Sequence, residues 1–161
     1  MGYELHAVIA GDELLCGWAR GVPEAQVAPL RQGLSLLPIT DELFDSVTDG
    51  SPTGALGFRR LPGGFGESLA RWSAEGPVAY VEAEYFGGVG EQRAAVWVDG
   101  TLALGPLDEP TRKRFSRPVS PISQALRRLG ARRTLGEDEF EAVGLDSHRN
   151  NEDWLSSTAP Y

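Results

Sequence analysis

One cysteine, Cys16, and two histidines, His6 and His148, are all the thiol and imidazole that this 161-residue sequence holds. A lone cysteine excludes an intramolecular disulfide and a thiolate metal cluster, and it fits a reducing compartment. Long apolar runs are lacking too, so no segment is expected to span a bilayer. The opening Met1-Gly2-Tyr3-Glu4-Leu5-His6 has neither the basic head nor the apolar core of a signal peptide. His6 also stands where a myristoylation signal needs Ser or Thr. A cytoplasmic protein without membrane attachment is the expectation. No Gly-x-Ser-x-Gly nucleophile elbow occurs. The glycine-rich run Gly87-Gly88-Val89-Gly90 is not a phosphate loop, because it joins two strands and no Gly-Lys-Ser or Gly-Lys-Thr follows. Cys16, beside Leu14, Leu15 and Trp18, reads as a buried and inert thiol.

What is present suits one soluble domain covering residues 1–161. The length allows a single core, and 41% hydrophobic with 24% charged residues is ordinary for a globular chain. The net charge of -8 is unevenly spread. Eight of the 15 basic residues fall between Arg112 and Arg133, where there is no acid, which leaves seven to face all 23 carboxylates. Glu137, Asp138, Glu139, Glu141, Asp146, Glu152 and Asp153 crowd the C-terminal end. Such a field repels nucleic acid and attracts cationic partners. The basic stretch has only Phe115 interleaved early and no stacking platform, so pairing with the acidic C-terminal segment is expected there, and not nucleic-acid binding.

Period-two alternation predicts a strand over residues 3–9, with Tyr3, Leu5, Ala7 and Ile9 on one face. A short helix is predicted from Asp12 to Arg20, and a second strand over 34–39 with Pro38 at an edge or strand end. Thr40 reads as the N-cap of a short helix with Leu43, Phe44 and Val47 inside. Another helix runs from Phe65 to Glu75. The clearest signal is a three-stranded antiparallel meander over about 78–104, closed by the Asp99-Gly100 hairpin turn. Ser120-Pro121 opens a further helix, and a last one covers Glu137 to Val143. Mobile surface loops are expected at about 49–64 and 106–119, and a polar tail from about 146. The fold class is therefore α+β: a mostly antiparallel sheet packed by several short helices.

Two constellations carry chemistry. Glu82 and Glu84 lie two apart on a strand, on one face with Tyr80, while Ala79, Val81 and Ala83 point to the core. An antiparallel sheet commonly keeps one face wet, so this face is expected to be acidic and solvated. The second is His148 with Glu152 four residues on, which would share a face if helical. Glu82, Glu84, His148 and Glu152 together form the alternative metal-binding or metal-dependent catalytic set, and a zinc site would have to combine His148, His6 and a carboxylate from distant segments. No cofactor is implied, and a non-catalytic role is preferred.

Glu82-Ala83-Glu84-Tyr85-Phe86-Gly87-Gly88-Val89-Gly90 with Trp97 and Gly105-Pro106 form one group of residues that look familiar. Asp138-Glu139-Phe140-Glu141-Ala142-Val143-Gly144-Leu145 followed by His148-Arg149 and Glu152-Asp153-Trp154 form the other. Together they resemble a family of small uncharacterised bacterial proteins of actinobacteria and cyanobacteria. That resemblance implies a bacterial cytoplasmic protein and transfers no activity. In general character the chain is also similar to immunity proteins of bacterial toxin systems. The function expected is a non-catalytic, immunity-type binding domain that meets a basic protein partner. Glu82, Glu84, Asp138, Glu139 and Glu141 would be contact charges, with Tyr80, Tyr85 or Trp154 as aromatic anchors.

Overall fold

The computed structural model describes residues 3–50, 57–86, 89–110, 120–134, 136, 138–148 and 150–157. Strand β1 (Tyr3–Gly11) runs directly into helix α1 (Asp12–Ala19). The short strands β2 (Ala28–Pro29) and β3 (Leu34–Pro38) follow, then helices α2 (Asp41–Val47) and α3 (Phe65–Trp72). The meander consists of β4 (Val78–Phe86), β5 (Val89–Val98) and β6 (Thr101–Pro110). After it come α4 (Pro121–Arg128), α5 (Glu139–Ala142) and two 3-10 turns, Leu145–Ser147 and Asn151–Ser157. The strands make one antiparallel sheet in the order β2-β3-β1-β4-β5-β6, an α+β fold as expected.

Local chemistry explains most element ends. The Thr40 side chain accepts from the Leu43 amide at 3.1 Å, and the Ser120 hydroxyl accepts from the Ser123 amide at 3.3 Å ahead of Pro121. Each satisfies one of the orphan amides of a first helical turn. Asp99 and Gly100 both have positive φ, at 51° and 84°, which is the backbone of a primed hairpin turn. Pro38 ends β3, as its missing donor requires.

The sheet has no wet face along its centre, and this corrects the expectation. Leu5, Ala7, Ile9, Ala79, Val81 and Ala83 pack on one side with Ile122, Ala125, Leu126, Val143, Leu145 and Trp154. Val8, Ala10, Val78, Tyr80 and Ala95 pack on the other with Leu15, Leu43, Phe58, Leu61, Phe65 and Leu69. The N-terminal helices cover one face and the C-terminal elements the other. Each short helix supplies only a few apolar residues, so burying both faces takes the whole chain.

Three segments expected to be irregular are more ordered than the sequence indicates. β5 begins at Val89, inside the supposed glycine loop. Gly90 pairs with Tyr85, and a Cβ there would overlap the Glu84 carbonyl and the Tyr85 backbone, so close approach demands glycine. β6 continues to Pro110, through the first part of the expected 106–119 loop; residues 111–119 lie outside the described residues. Within the supposed surface loop 49–64, positions 51–56 also lie outside, but Phe58 and Leu61 are buried.

The polar tail is structural as well. Asn151 and Trp154, both in the second 3-10 turn, are buried. Beyond Pro38 one backbone bond still joins the β1 and β3 segments, from the Ile39 amide to the His6 carbonyl at 2.8 Å, and the Asn151 side chain takes the other half of that pair. Its Oδ1 accepts from the His6 amide at 3.0 Å and its Nδ2 donates to the Ile39 carbonyl at 2.9 Å. Replacing Asn151 with Ala strands both buried backbone groups. Urea denaturation of Asn151→Ala is expected to show a loss of about 2–4 kcal/mol, with no change in the slope of the transition.

Candidate functional site

Tyr80, Glu82 and Glu84 do share one face of β4, but that face is roofed. The segment from Phe58 to Leu61 passes over it, pinned by the two apolar side chains at its ends. Phe58 meets the Tyr80 ring edge-on at 4.8 Å. Anchoring the segment this way turns the amides of Arg59 and Arg60 inward, where they need an acceptor. Glu82 supplies it. Its Oε1 accepts from the Arg59 amide at 2.7 Å, and its Oε2 from the Arg60 amide at 2.7 Å and the Tyr80 hydroxyl at 2.9 Å. Only 3% of Glu82 is exposed. It is a buried anchor and not a contact charge, and Tyr80, with no exposed surface, is not a binding anchor.

Outside this anchor runs a ladder of charges. Glu84 lies 3.1 Å from Arg59 and 3.5 Å from His6 Nε2. Arg59 also reaches Glu91 at 2.9 Å, Glu91 reaches Arg93 at 3.3 Å, and Arg60 reaches Asp41 at 2.7 Å. The register explains the grouping: His6 and Arg93 lie opposite Glu82 on β1 and β5, and Glu4 and Glu91 lie opposite Glu84. The arginine–carboxylate pairs are partly or largely exposed, so each contributes about 0–1 kcal/mol, whereas the His6 side chain is buried. A cavity of about 240 Å³ opens among Glu4, His6, Ile39, Arg59, Arg60, Glu84 and Asn151.

The remaining expected site residues are dispersed. Tyr85 is half-buried, edge-on to Tyr3 at 6.2 Å, and its hydroxyl accepts from Gln92 Nε2. Asp138 caps α5 by accepting from the Glu141 amide at 3.0 Å, and Glu141 itself is half-buried in that helix. Glu139 is 2% exposed and pairs with Arg127 at 2.5 Å, an instance of the expected pairing between the basic stretch and the acidic segment. Trp154 is 3% exposed and meets His148 edge-on at 4.6 Å. His148 is thus held against the Trp154 side of the sheet, while Glu82 and Glu84 face the other. The proposed metal set does not converge, the Glu152 side chain lying outside the described residues. Among the described residues no group of three His, Cys, Asp or Glu side chains is placed to hold a metal ion.

A larger open groove, about 1080 Å³, lies at the opposite end of β1 and was missed by the sequence reading. Trp18 and Trp72 form its wall, with ring centroids 4.1 Å apart, backed by Phe65 at 5.4 Å from Trp72. Leu14, Gly17 and Pro77 complete the apolar surface, and Asp12, Glu13 and Glu75 line it with negative charge. Asp12 is also tied down, accepting from the Ser35 hydroxyl. The signal available beforehand was Leu14 and Trp18 at helical spacing. That spacing identified an inner face without revealing that α1 is too short to cover it.

No family model, curated protein or solved structure matches the chain. Among the described residues, no helix is long and apolar enough to cross a membrane.

Two measurements check the anchor. Glu82→Gln puts an amide donor against inward-facing amides and is expected to cost about 2–4 kcal/mol in denaturant unfolding, whereas Glu84→Gln costs less than about 1 kcal/mol. Burial, reinforced by the charge of Glu82 and the hydrogen bond to it, raises the Tyr80 phenol well above its ordinary 10.0, and burial also raises Tyr3. A folded-state value above the unfolded one means that this stability is whole below pH 10 and is lost as pH rises towards the folded value. Absorbance titration of the folded protein just above pH 10 is therefore expected to be unchanged by Tyr80→Phe or Tyr3→Phe.

Proposed function

We propose that this protein is a non-catalytic binding domain of the immunity type in character, and that it engages a basic protein partner through the groove between α1 and α3. The observation that carries this reading is the combination of two half-buried, touching tryptophans with three carboxylates and, among the described residues, no basic one in the lining. Aromatic faces attract Lys and Arg side chains by about 0.5–2 kcal/mol, and their flat surfaces also bury the aliphatic stems. Carboxylates nearby add steering and reject acidic partners. The acidic surface that this role needs is therefore supplied by Asp12, Glu13 and Glu75, and not by Glu82, Glu139 or Asp138, which serve the fold.

A catalytic role has less support. The Glu82 carboxylate is held by three donors, Glu139 is paired with Arg127, and the imidazoles lie apart on different faces. The net charge of -8 suits a cationic partner and disfavours nucleic acid.

Trp97 and Trp154 are buried, so acrylamide quenching of intrinsic fluorescence reports chiefly on Trp18 and Trp72. Peptides bearing Lys or Arg beside apolar residues are expected to protect that signal, with weaker binding as salt is raised. Glu13→Gln combined with Glu75→Gln should lower the affinity and flatten the salt dependence. Gly17 offers a steric test, because a Cβ there meets nothing within 4 Å. Gly17→Gln should fold normally and abolish the protection. If basic and acidic peptides protect equally, or Gly17→Gln binds as well as the parent, the groove is not the recognition surface.

A further inference from the structure

The smaller cavity, at the Glu4 end of β1, is a different kind of site. At about 240 Å³ it lies below the usual range of pockets for drug-sized ligands, which limits an occupant to a few heavy atoms. Its lining carries both signs of charge: Glu4 and Glu84 against Arg59 and Arg60. At its floor sits His6, whose side chain is only 4% exposed. His6 Nε2 has no hydrogen-bond partner among the described residues. Glu84 Oε1, at 3.5 Å, stands beyond the normal range for such a bond. Leaving a buried ring nitrogen unsatisfied is costly, and such groups in native proteins call for an explanation.

We propose that this cavity binds a small zwitterion of the α-amino-acid class. The ligand carboxylate would lie against the guanidinium groups of Arg59 and Arg60. Both retain donors, since Arg59 is shared between Glu84 and Glu91 and Arg60 uses one nitrogen on Asp41. The ligand ammonium would lie between Glu4 and Glu84 and bring a polar group to His6. A singly charged ligand fits worse, because an anion leaves Glu4 and Glu84 facing it and a cation leaves the two arginines. The site is built on a rigid base. The His6 backbone is held by Asn151, and Arg59 and Arg60 are fixed at their amides by Glu82.

The test is a ligand titration followed by NMR of the two histidine rings, with His148→Gln assigning the His6 signals. Glycine, alanine, serine and asparagine are compared with their N-acetyl forms, which keep only the carboxylate, and their amides, which keep only the ammonium. The zwitterions are expected to shift His6 and leave His148 in place. Each blocked form should bind at least about tenfold more weakly, the equivalent of one lost charge-assisted bond. Glu4→Gln and Arg60→Gln should each weaken binding by a similar factor. Both leave the Arg60 backbone amide on Glu82 intact, and unchanged melting temperatures would show that the fold is preserved. Equal binding of either blocked form, or no shift of His6 by any zwitterion at millimolar concentration, overturns the proposal. Gly17→Gln should bind the zwitterions normally, so this site and the tryptophan groove stand or fall separately.

Discussion

A carboxylate taken out of water near the middle of β4 organises one whole side of this molecule. Burying Glu82 without partners would be prohibitive, so its position is stable only because two consecutive amides and a phenol converge on it. The dependence runs both ways. The segment Phe58–Leu61 cannot lie across the sheet with its amides inward unless an acceptor waits beneath. Once it does lie there, Phe58 and Leu61 complete the core, and the side chains of Arg59 and Arg60 are delivered to the sheet surface above β1 and β4. Tyr80 keeps its proton for the same reason: a phenolate beside a buried carboxylate would set two negative charges against each other in a dry site.

This arrangement divides the acidic residues into two classes that composition alone cannot separate. Glu82, Glu139 and Asp138 are consumed by the fold, as a strap anchor, a partner for Arg127 and a helix cap. Glu13, Glu75 and Glu4 remain at the surface, beside cavities at opposite ends of β1. One cavity is broad, aromatic and negative; the other is small, polar and balanced in sign. The difference follows from what roofs the sheet at each end. Near Gly11 the short helices α1 and α3 meet through their tryptophans and leave a gap, whereas near Glu4 an irregular strap and the Asn151 turn close over charged strand positions.

The two-face coverage bears on specificity of folding as well as on function. The 3-10 turn from Asn151 reaches back to β1 and to the end of β3, so contacts of more than a hundred residues' separation close this edge of the fold. A fold closed by contacts of such large sequence separation pays its loop-closure entropy late. Asn151 adds to this a hydrogen-bonding task that no apolar residue can take over, supplying one donor and one acceptor to the Ile39 carbonyl and the His6 amide.

Local sequence specifies the α+β class, the meander with its Asp99-Gly100 turn, and the starts of the helices after Thr40 and Ser120. All of these rest on local chemistry: alternation, positive φ and capping of orphan amides act over a few residues. It also showed that Tyr80, Glu82 and Glu84 share a face, because that follows from the period of a strand. What covers the face was decided only in three dimensions. Nothing in Gly57-Phe58-Arg59-Arg60-Leu61 announces that two backbone amides will need a carboxylate from a strand more than twenty residues away. Nor does the spacing of His148 and Glu152 reveal that His148 is spent against Trp154. Burial and pairing depend on which distant segments meet, and a side chain's chemistry, whether exposed charge or saturated anchor, is set by that meeting.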